Sequence, residues 1–295
     1  MTTTTNEAVV ESRAEGPDST GLYVRHREGP HPVALLSDGI VCDGFIYKYL
    51  WDDLAARMGV AHWNYRGHGR SGLPVDSRRV DVADHAADLD VVRHHIGDPP
   101  VVLVGHSFGT QVSLEAYRLR PAGIQAMVFL CGSFGRVTHT FKGTDILANV
   151  LPELVGFVQR HPRLARGLWS RMPVKAALRV ALMTGDINAE RIQLEDIEPY
   201  FRHVAHVDFS MFLRMLTLAG EHSAEDLLPE VRIPVLVVAG GRDSFTPPSL
   251  SEAMAEVLPQ AELVMIPDGT HAAPLEHREL VLEKIWNFLE RHHVL

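Results

Sequence analysis

The chain has 295 residues, 46% of them apolar and 22% charged, with a net charge of −9 at neutral pH. Those values fit a globular protein with a large core, and no apolar run is long enough to span a bilayer. No Lys/Arg cluster or basic stripe stands out against the acidic balance, which sets nucleic-acid binding aside.

The stretch from Met1 to Thr20 is polar and lacks the basic start and apolar run of a signal peptide, so it reads as a disordered lead-in. The core opens near Leu22. The segment 33-VALLS-37 is a short β-rich run ending at Asp38-Gly39, and a helical stretch follows from Gly44 to Met58. A second strand, 60-VAHWNY-65, stops at the Gly-rich turn 66-RGHGRSG-72. Between Val80 and Ile96, apolar residues recur at helical spacing until Asp98-Pro99-Pro100 breaks the pattern. The runs 101-VVLVG-105 and 126-AMVFLCG-132 are continuously apolar, as strands buried on both faces of a parallel sheet are, with a helix from Phe108 to Leu119 between them. Alternating strands and helices imply an α/β fold with right-handed crossovers.

The alternation fails from about Phe134 to Asp226, which reads as several helices punctuated by Pro152, Pro162, Pro173 and Gly185. It resumes with the strand 233-IPVLVVAGG-241, a helix from Leu250 to Leu258, the strand 261-AELVMIP-267 and a last amphipathic helix from Pro274 to Arg291. The expected organisation is a disordered segment 1–20, a core in two parts, 21–135 and 227–295, and a helical lid, 136–226, inserted between them. The lid carries ample apolar surface, including Phe141, Leu151, Leu168, Trp169, Met172, Met183 and Met211. Most of it should pack the lid onto the core, and the rest would line an acyl pocket. The two cysteines, Cys42 and Cys131, lie in no metal-ligand spacing and read as small buried hydrophobes, a usage that suits a reducing cytoplasm.

The chemistry centres on 105-GHSFG-109, a G-x-S-x-G pattern between a buried strand and a helix. A serine on a tight strand-to-helix turn projects its hydroxyl above the free N–H groups of the next helix, and flanking glycines leave room for the turn. An ordinary βα turn that happens to contain Gly and Ser is the bland alternative. A serine needs a base, and the base a supporting acid. The chain offers Asp243 in 240-GGRDSFTPP-248, directly after a buried strand, and His271 in 266-IPDGTHAAP-274, after the next strand. Seventeen histidines make any single one uninformative by itself. His106 adjoins the serine on the wrong side of the turn to be the base. Asp268 stands too close to His271 to support it from a separate loop, and reads as a turn residue.

With these segments in view, the chain resembles the α/β-hydrolase superfamily, its serine-nucleophile, lid-containing branch, from about Leu22 onward. The turn 65-YRGHGRSG-72 also resembles the superfamily's R-G-x-G-x-S turn, whose role is read as backbone shaping. The resemblance implies an α/β-hydrolase fold: a mostly parallel sheet flanked by helices, with Ser107, Asp243 and His271 as a catalytic triad. It also implies an oxyanion hole from the backbone N–H groups of Ile40 and Phe108. One departure is 37-SDGI-40, in which Asp38 stands where the family usually carries His. Asp38 either hydrogen-bonds within its loop or faces the pocket and disfavours anionic substrates; His106 is the other candidate pocket residue.

Relatives that open epoxides or remove halogen use Asp as nucleophile, so Ser107 argues for acyl chemistry. The expected activity is a carboxylesterase-like serine hydrolase acting on a small hydrophobic acyl substrate, with no cofactor and no metal. Thioester, lactone or carbon–carbon hydrolysis and acyl transfer to peroxide use the same triad and remain alternatives, as does a non-catalytic binding role. The sequence sets neither the substrate nor the oligomeric state.

Overall fold

Continuously apolar segments pair side by side because only a strand covered on both faces can bury such a run. In the computed structural model, which describes residues 8–171 and 173–295, eight strands form one sheet. They are β1 (Val10–Glu15), β2 (Gly21–Arg27), β3 (Val33–Ser37), β4 (Gly59–Trp63), β5 (Val101–His106), β6 (Ile124–Leu130), β7 (Val235–Gly240) and β8 (Ala261–Ile266). Their order is β1-β2-β4-β3-β5-β6-β7-β8. The pairs from β4 through β8 are parallel, whereas β1–β2 and β2–β4 are antiparallel.

Every residue of β3, β4, β5 and β7 is buried. Alternate residues feed two cores. Leu35, Trp63, Leu103, Phe129 and Val237 share one with α2 (Val82–His95) and α3 (Phe108–Leu119). Leu36, Val60, Val104, Val128 and Val238 share the other with α1 (Leu50–Ala55) and, at the chain's end, Ile285 and Phe288.

Between β6 and β7 the chain leaves the sheet and forms α4 (Val137–Thr140), α5 (Ile146–Arg160), α6 (Pro162–Trp169), α7 (Val174–Met183), α8 (Leu194–His206) and α9 (Phe209–Glu221). It then returns through β7, α10 (Pro248–Val257), β8, α11 (Ala273–Glu276) and α12 (Arg278–Arg291). No helix among the described residues is long and apolar enough to cross a membrane.

Four expectations need correction. The segment 1–20, expected to be disordered, contributes β1, whose residues pair with β2 from Val10↔His26 to Glu15↔Gly21; residues 1–7 lie outside the described residues. Its polarity misleads because an edge strand with only Ala14 buried has little apolar pattern to show. The stretch 44–58 is a single 3₁₀ turn, Phe45–Tyr47, followed by the short α1. The last helix divides at His277 into α11 and α12. Pro152 sits inside α5 rather than ending it, at the expense of one backbone hydrogen bond. Of the apolar insertion residues, Leu151 and Met211 are buried, Leu168 and Met183 are exposed, and Met172 lies outside the described residues.

Candidate active site

Parallel strands bring their carboxyl ends to one edge, where an open α/β sheet places its ligands. Ser107 follows β5 there, Asp243 follows β7 and His271 follows β8.

Ser107 has φ 54° and ψ −115°, a backbone state that L-residues avoid. The turn is held by Ser107 N–H donating to the Leu130 carbonyl at 3.0 Å and by Thr110 N–H donating to the Ser107 carbonyl at 3.0 Å. The glycines on either side have a packing reason. A Cβ on Gly105 would overlap the Gly109 carbonyl, and one on Gly109 would overlap the Ser37 carbonyl. The loop after β3 therefore lies directly against the start of α3. A Cβ on Gly39 would stand 3.2 Å from Ser107 Cβ and 3.1 Å from His106 Nδ1, so that loop also flanks the serine. Among the described residues, the Ile40 and Phe108 N–H groups donate no hydrogen bond.

His271 Nδ1 lies 2.8 Å from Asp243 Oδ2. Three further contacts fix the carboxylate: Phe245 N–H and Thr246 N–H donate to Oδ1 at 2.8 and 2.9 Å, and Thr246 Oγ lies 2.8 Å from Oδ2. A carboxylate offers about four acceptor sites, and three are met by N–H groups while the Thr246 hydroxyl lies against the fourth. The Thr246 proton has a second acceptor, the Cys131 carbonyl at 2.8 Å, which ties this loop to the end of β6. The loops of Asp243 and His271 are also joined, since Arg242 N–H donates to the Gly269 carbonyl at 2.9 Å. Asp268 stands apart from His271 and instead faces Arg191 and His277, each at 3.4 Å.

His106 is buried, and its Nε2–H donates to the His271 carbonyl at 3.0 Å. Burial, with the His271 ring beside it, pushes its pKa down to about 4. Asp38 is equally buried, and its Oδ2 pairs with His62 Nε2 at 2.7 Å, while its carbonyl accepts from the Tyr65 hydroxyl at 2.7 Å. The carboxylate thus turns across to β4, rather than bonding within its own loop or facing open space.

Several residues that bear on the site escaped the sequence reading. Glu276 accepts from Thr270 N–H at 2.8 Å, from Thr270 Oγ at 2.6 Å and from Asn188 N–H at 2.8 Å, bracing the loop that carries His271. Nothing in an apolar APLE stretch announces that role. The turn itself had a local signal, because an Asp accepting from the N–H two residues on, here Phe245, is common, and that turn brings Thr246 back onto Asp243. The 66–72 turn contributes a side chain besides shape. His68 Nδ1–H donates to the Arg66 carbonyl at 2.9 Å, and its Nε2 accepts from Val41 N–H at 3.2 Å. Burial lowers the His68 pKa to about 4, which keeps Nε2 an acceptor. Val41, at φ 53°, is a β-branched residue in the left-handed region, so this brace holds a strained step of the loop beside Ser107.

The helical insertion touches both flanks of the site. Phe141 packs 5.2 Å from Phe245, whose ring is 5.0 Å from His271. Lys142 N–H donates to the Ser244 carbonyl at 2.7 Å, and Ser244 Oγ donates to Asp186 at 2.6 Å. On the other flank, His203 of α8 lies 3.7 Å from Asp43, and Lys48 Nζ pairs with Asp196 at 2.5 Å.

Comparison with known proteins bears on the family and the fold. A family model described as the alpha/beta hydrolase fold matches residues 45–278. The chain is 27% identical over 268 residues to polyketide synthase ThaQ of Burkholderia thailandensis, covering 90% of this chain but only 12% of that protein. It is 26% identical over 266 residues to RutD of Rhizobium rhizogenes, named as a carbamate hydrolase, covering 86% of this chain and 91% of that one. Among solved structures, a thermophilic esterase from Thermogutta terrifontis superposes with a TM-score of 0.74 at 21% identity, over 96% of this chain and 99% of the other.

Proposed function

The chain belongs to the alpha/beta hydrolase fold family, and we propose that within it the protein is a serine hydrolase that cleaves a carboxylic ester or related acyl substrate. The observation that carries the proposal is the pairing of His271 Nδ1 with the Asp243 carboxylate, at the same sheet edge as a serine on a strained elbow.

In this reading the Nδ1–H of His271 is committed to Asp243, which leaves Nε2 as the basic nitrogen. Nε2 takes the Ser107 proton as Oγ attacks the substrate carbonyl. The oxyanion that forms is met by the unused N–H groups of Ile40 and Phe108, which are main-chain donors and so survive the change to Asp at position 38. His271 then protonates the leaving group, and water repeats the sequence on the acyl-enzyme. The insertion, tied to the Ser244 loop and to Asp43, would roof the serine and supply an apolar acyl pocket.

Hydrolysis of p-nitrophenyl acetate and butyrate by wild type and by Ser107→Ala tests the proposal. The variant should lose about 10⁴-fold or more in kcat. Equal rates in the two would overturn it. The match to a carbamate hydrolase favours a second reading, with a carbamate in place of the ester. The same attack and oxyanion would serve, and a panel of carbamates beside the esters separates the two readings.

A further inference from the structure

The whole-chain charge of −9 conceals a local reversal. From Leu154 to Gly185 there is no Asp or Glu, while Arg160, Arg163, Arg166, Arg171, Lys175 and Arg179 all fall within this span. The acidic balance of the whole chain hides this cluster, which corrects the expectation of no basic cluster. All six side chains are exposed, and among the described residues none of them forms an ion pair.

The same segment exposes large aliphatic side chains. On α6, Leu164 and Leu168 are 54% and 62% exposed, and on α7 Val180 and Met183 are 58% and 87% exposed. Helical spacing puts Arg163, Arg166, Leu164 and Leu168 together on the outer side of α6, because the inner side is fixed by other residues. Ala165 is buried, and Trp169 stacks on Phe209 at 4.2 Å while its Nε1–H reaches the Val204 and Val207 carbonyls at 3.0 and 3.1 Å. On α7, Val180 and Met183 point away from the buried Leu178, and the exposed Lys175 and Arg179 flank them. On α5, which packs against α6, Ile146, Val150 and Leu154 are exposed at a spacing of four, but the exposed Glu153 lies on the same side, so the cationic face is that of α6 and α7.

Exposed aliphatic residues interleaved with unpaired cations are the pattern of a helix that rests in the headgroup region of an anionic lipid surface. Apolar side chains enter the acyl boundary and cations meet phosphates. We infer that the outer face of the helical insertion, centred on α6, is a docking surface for anionic membrane lipid. A second copy of the chain is disfavoured, because an isologous contact here would set these cations against their own kind. The aliphatic side chains protrude rather than line a groove, and the cavities of about 630 and 330 Å³ are lined by other parts of the chain. A lipid layer accepts protruding side chains without a complementary shape. The inference stands apart from the proposed chemistry, because it rests on no residue of the candidate active site.

The test is sedimentation of the full chain with vesicles of phosphatidylcholine alone and with vesicles that also contain phosphatidylglycerol, at low and high salt. Binding is expected to the mixed vesicles only, and to weaken with salt. Arg163→Glu with Arg166→Glu should weaken it by about tenfold or more, given the contribution of each cation near an anionic surface. Leu164→Ser with Leu168→Ser should weaken it too, which a purely ionic attraction would not predict. These positions are exposed, so thermal midpoints should hold, and Arg163→Lys with Arg166→Lys should bind like wild type. Ser107→Ala should bind unchanged even if it removes all activity, which separates this test from that of the hydrolase reading. No binding to mixed vesicles, or binding that both pairs of changes leave intact, overturns the inference. So does a concentration-dependent dimer, lost in the Leu-to-Ser variant, without lipid binding.

Discussion

His106 Nε2 donates to the carbonyl of His271 at 3.0 Å, so the residue before the candidate nucleophile holds the backbone of the candidate base. The carbonyl can only accept, so the neutral ring carries its proton on Nε2, and Nδ1 is left buried without a partner.

This arrangement makes stability depend on pH. His106 and His68 have pKa values of about 4 in the fold, against 6.5 in an unpaired chain, and burial holds His85 well below 6.5 as well. Between those values the unfolded chain binds more protons than the folded one. The contribution of these rings is therefore fully present above about 6.5 and is lost as pH drops towards 4, by roughly 3 kcal/mol for each of the first two at the lower end, partly offset by Asp88, whose burial raises its pKa to about 6. Urea denaturation from pH 7 to pH 4 reads the slope. His106→Gln keeps an N–H for the carbonyl but cannot titrate, so the slope should flatten by close to one proton. An unchanged slope would mean that His106 takes no part.

Asp243 and Thr246 should separate in kcat. Asp243→Asn disturbs the tautomer of His271 and should reduce kcat by about 10⁴-fold. Thr246→Val removes a hydroxyl placed between Asp243 and the Cys131 carbonyl but keeps the backbone N–H on Oδ1. It should cost about 1 to 3 kcal/mol of stability, with a much smaller loss of kcat than Asp243→Asn. A Thr246→Val loss as large as that of Asp243→Asn would contradict the assignment of Asp243 as the group that supports the base.

The Asp38–His62 pair is almost completely shielded from solvent, with each side chain 1% exposed. Removing one partner leaves the other buried and unmatched, so Asp38→Ala should destabilise by about 3–5 kcal/mol. Asp38→Asn retains an acceptor for His62 and should cost far less. Chemical denaturation of the two variants distinguishes a buried structural pair from a pocket-facing carboxylate, for which both changes would be near neutral in stability.

Glycines in two places should respond in opposite ways. Gly109→Ala drives a Cβ into the Ser37 carbonyl and should abolish activity or folding. Gly167, within α6, has nothing within 4 Å of its would-be Cβ, and Gly167→Ala should stabilise by about 0.5–1 kcal/mol. Differential scanning calorimetry of Gly167→Ala reads that gain, and a lower midpoint would show that α6 needs its glycine.

Much of the fold was legible because the relevant signals are local. A strand buried on both faces must be apolar throughout, so 33–37 and 101–105 announced β3 and β5. The span of roughly Phe108 to Leu119 also announced α3. β1 was not legible, since ESRAE has no apolar pattern and becomes a strand only because β2 offers it a partner. The order Ser107, Asp243, His271, each after a strand, likewise named the candidate site. Asp38 showed the limit, because its partner His62 lies on another strand and no spacing along the chain announces the pair.

The sequence by itself determined the α/β sheet, the helical interruption between β6 and β7, and the elbow around Ser107, since each follows from residue type and short-range spacing. Only the tertiary structure decided which side chains close on one another: His106 on the His271 carbonyl, Thr246 on Asp243, Glu276 on the His271 loop, and Asp38 on His62. A hydrogen bond requires its partners within about 3 Å, and residues far apart in sequence reach that distance only when the sheet has set its strand ends along one edge.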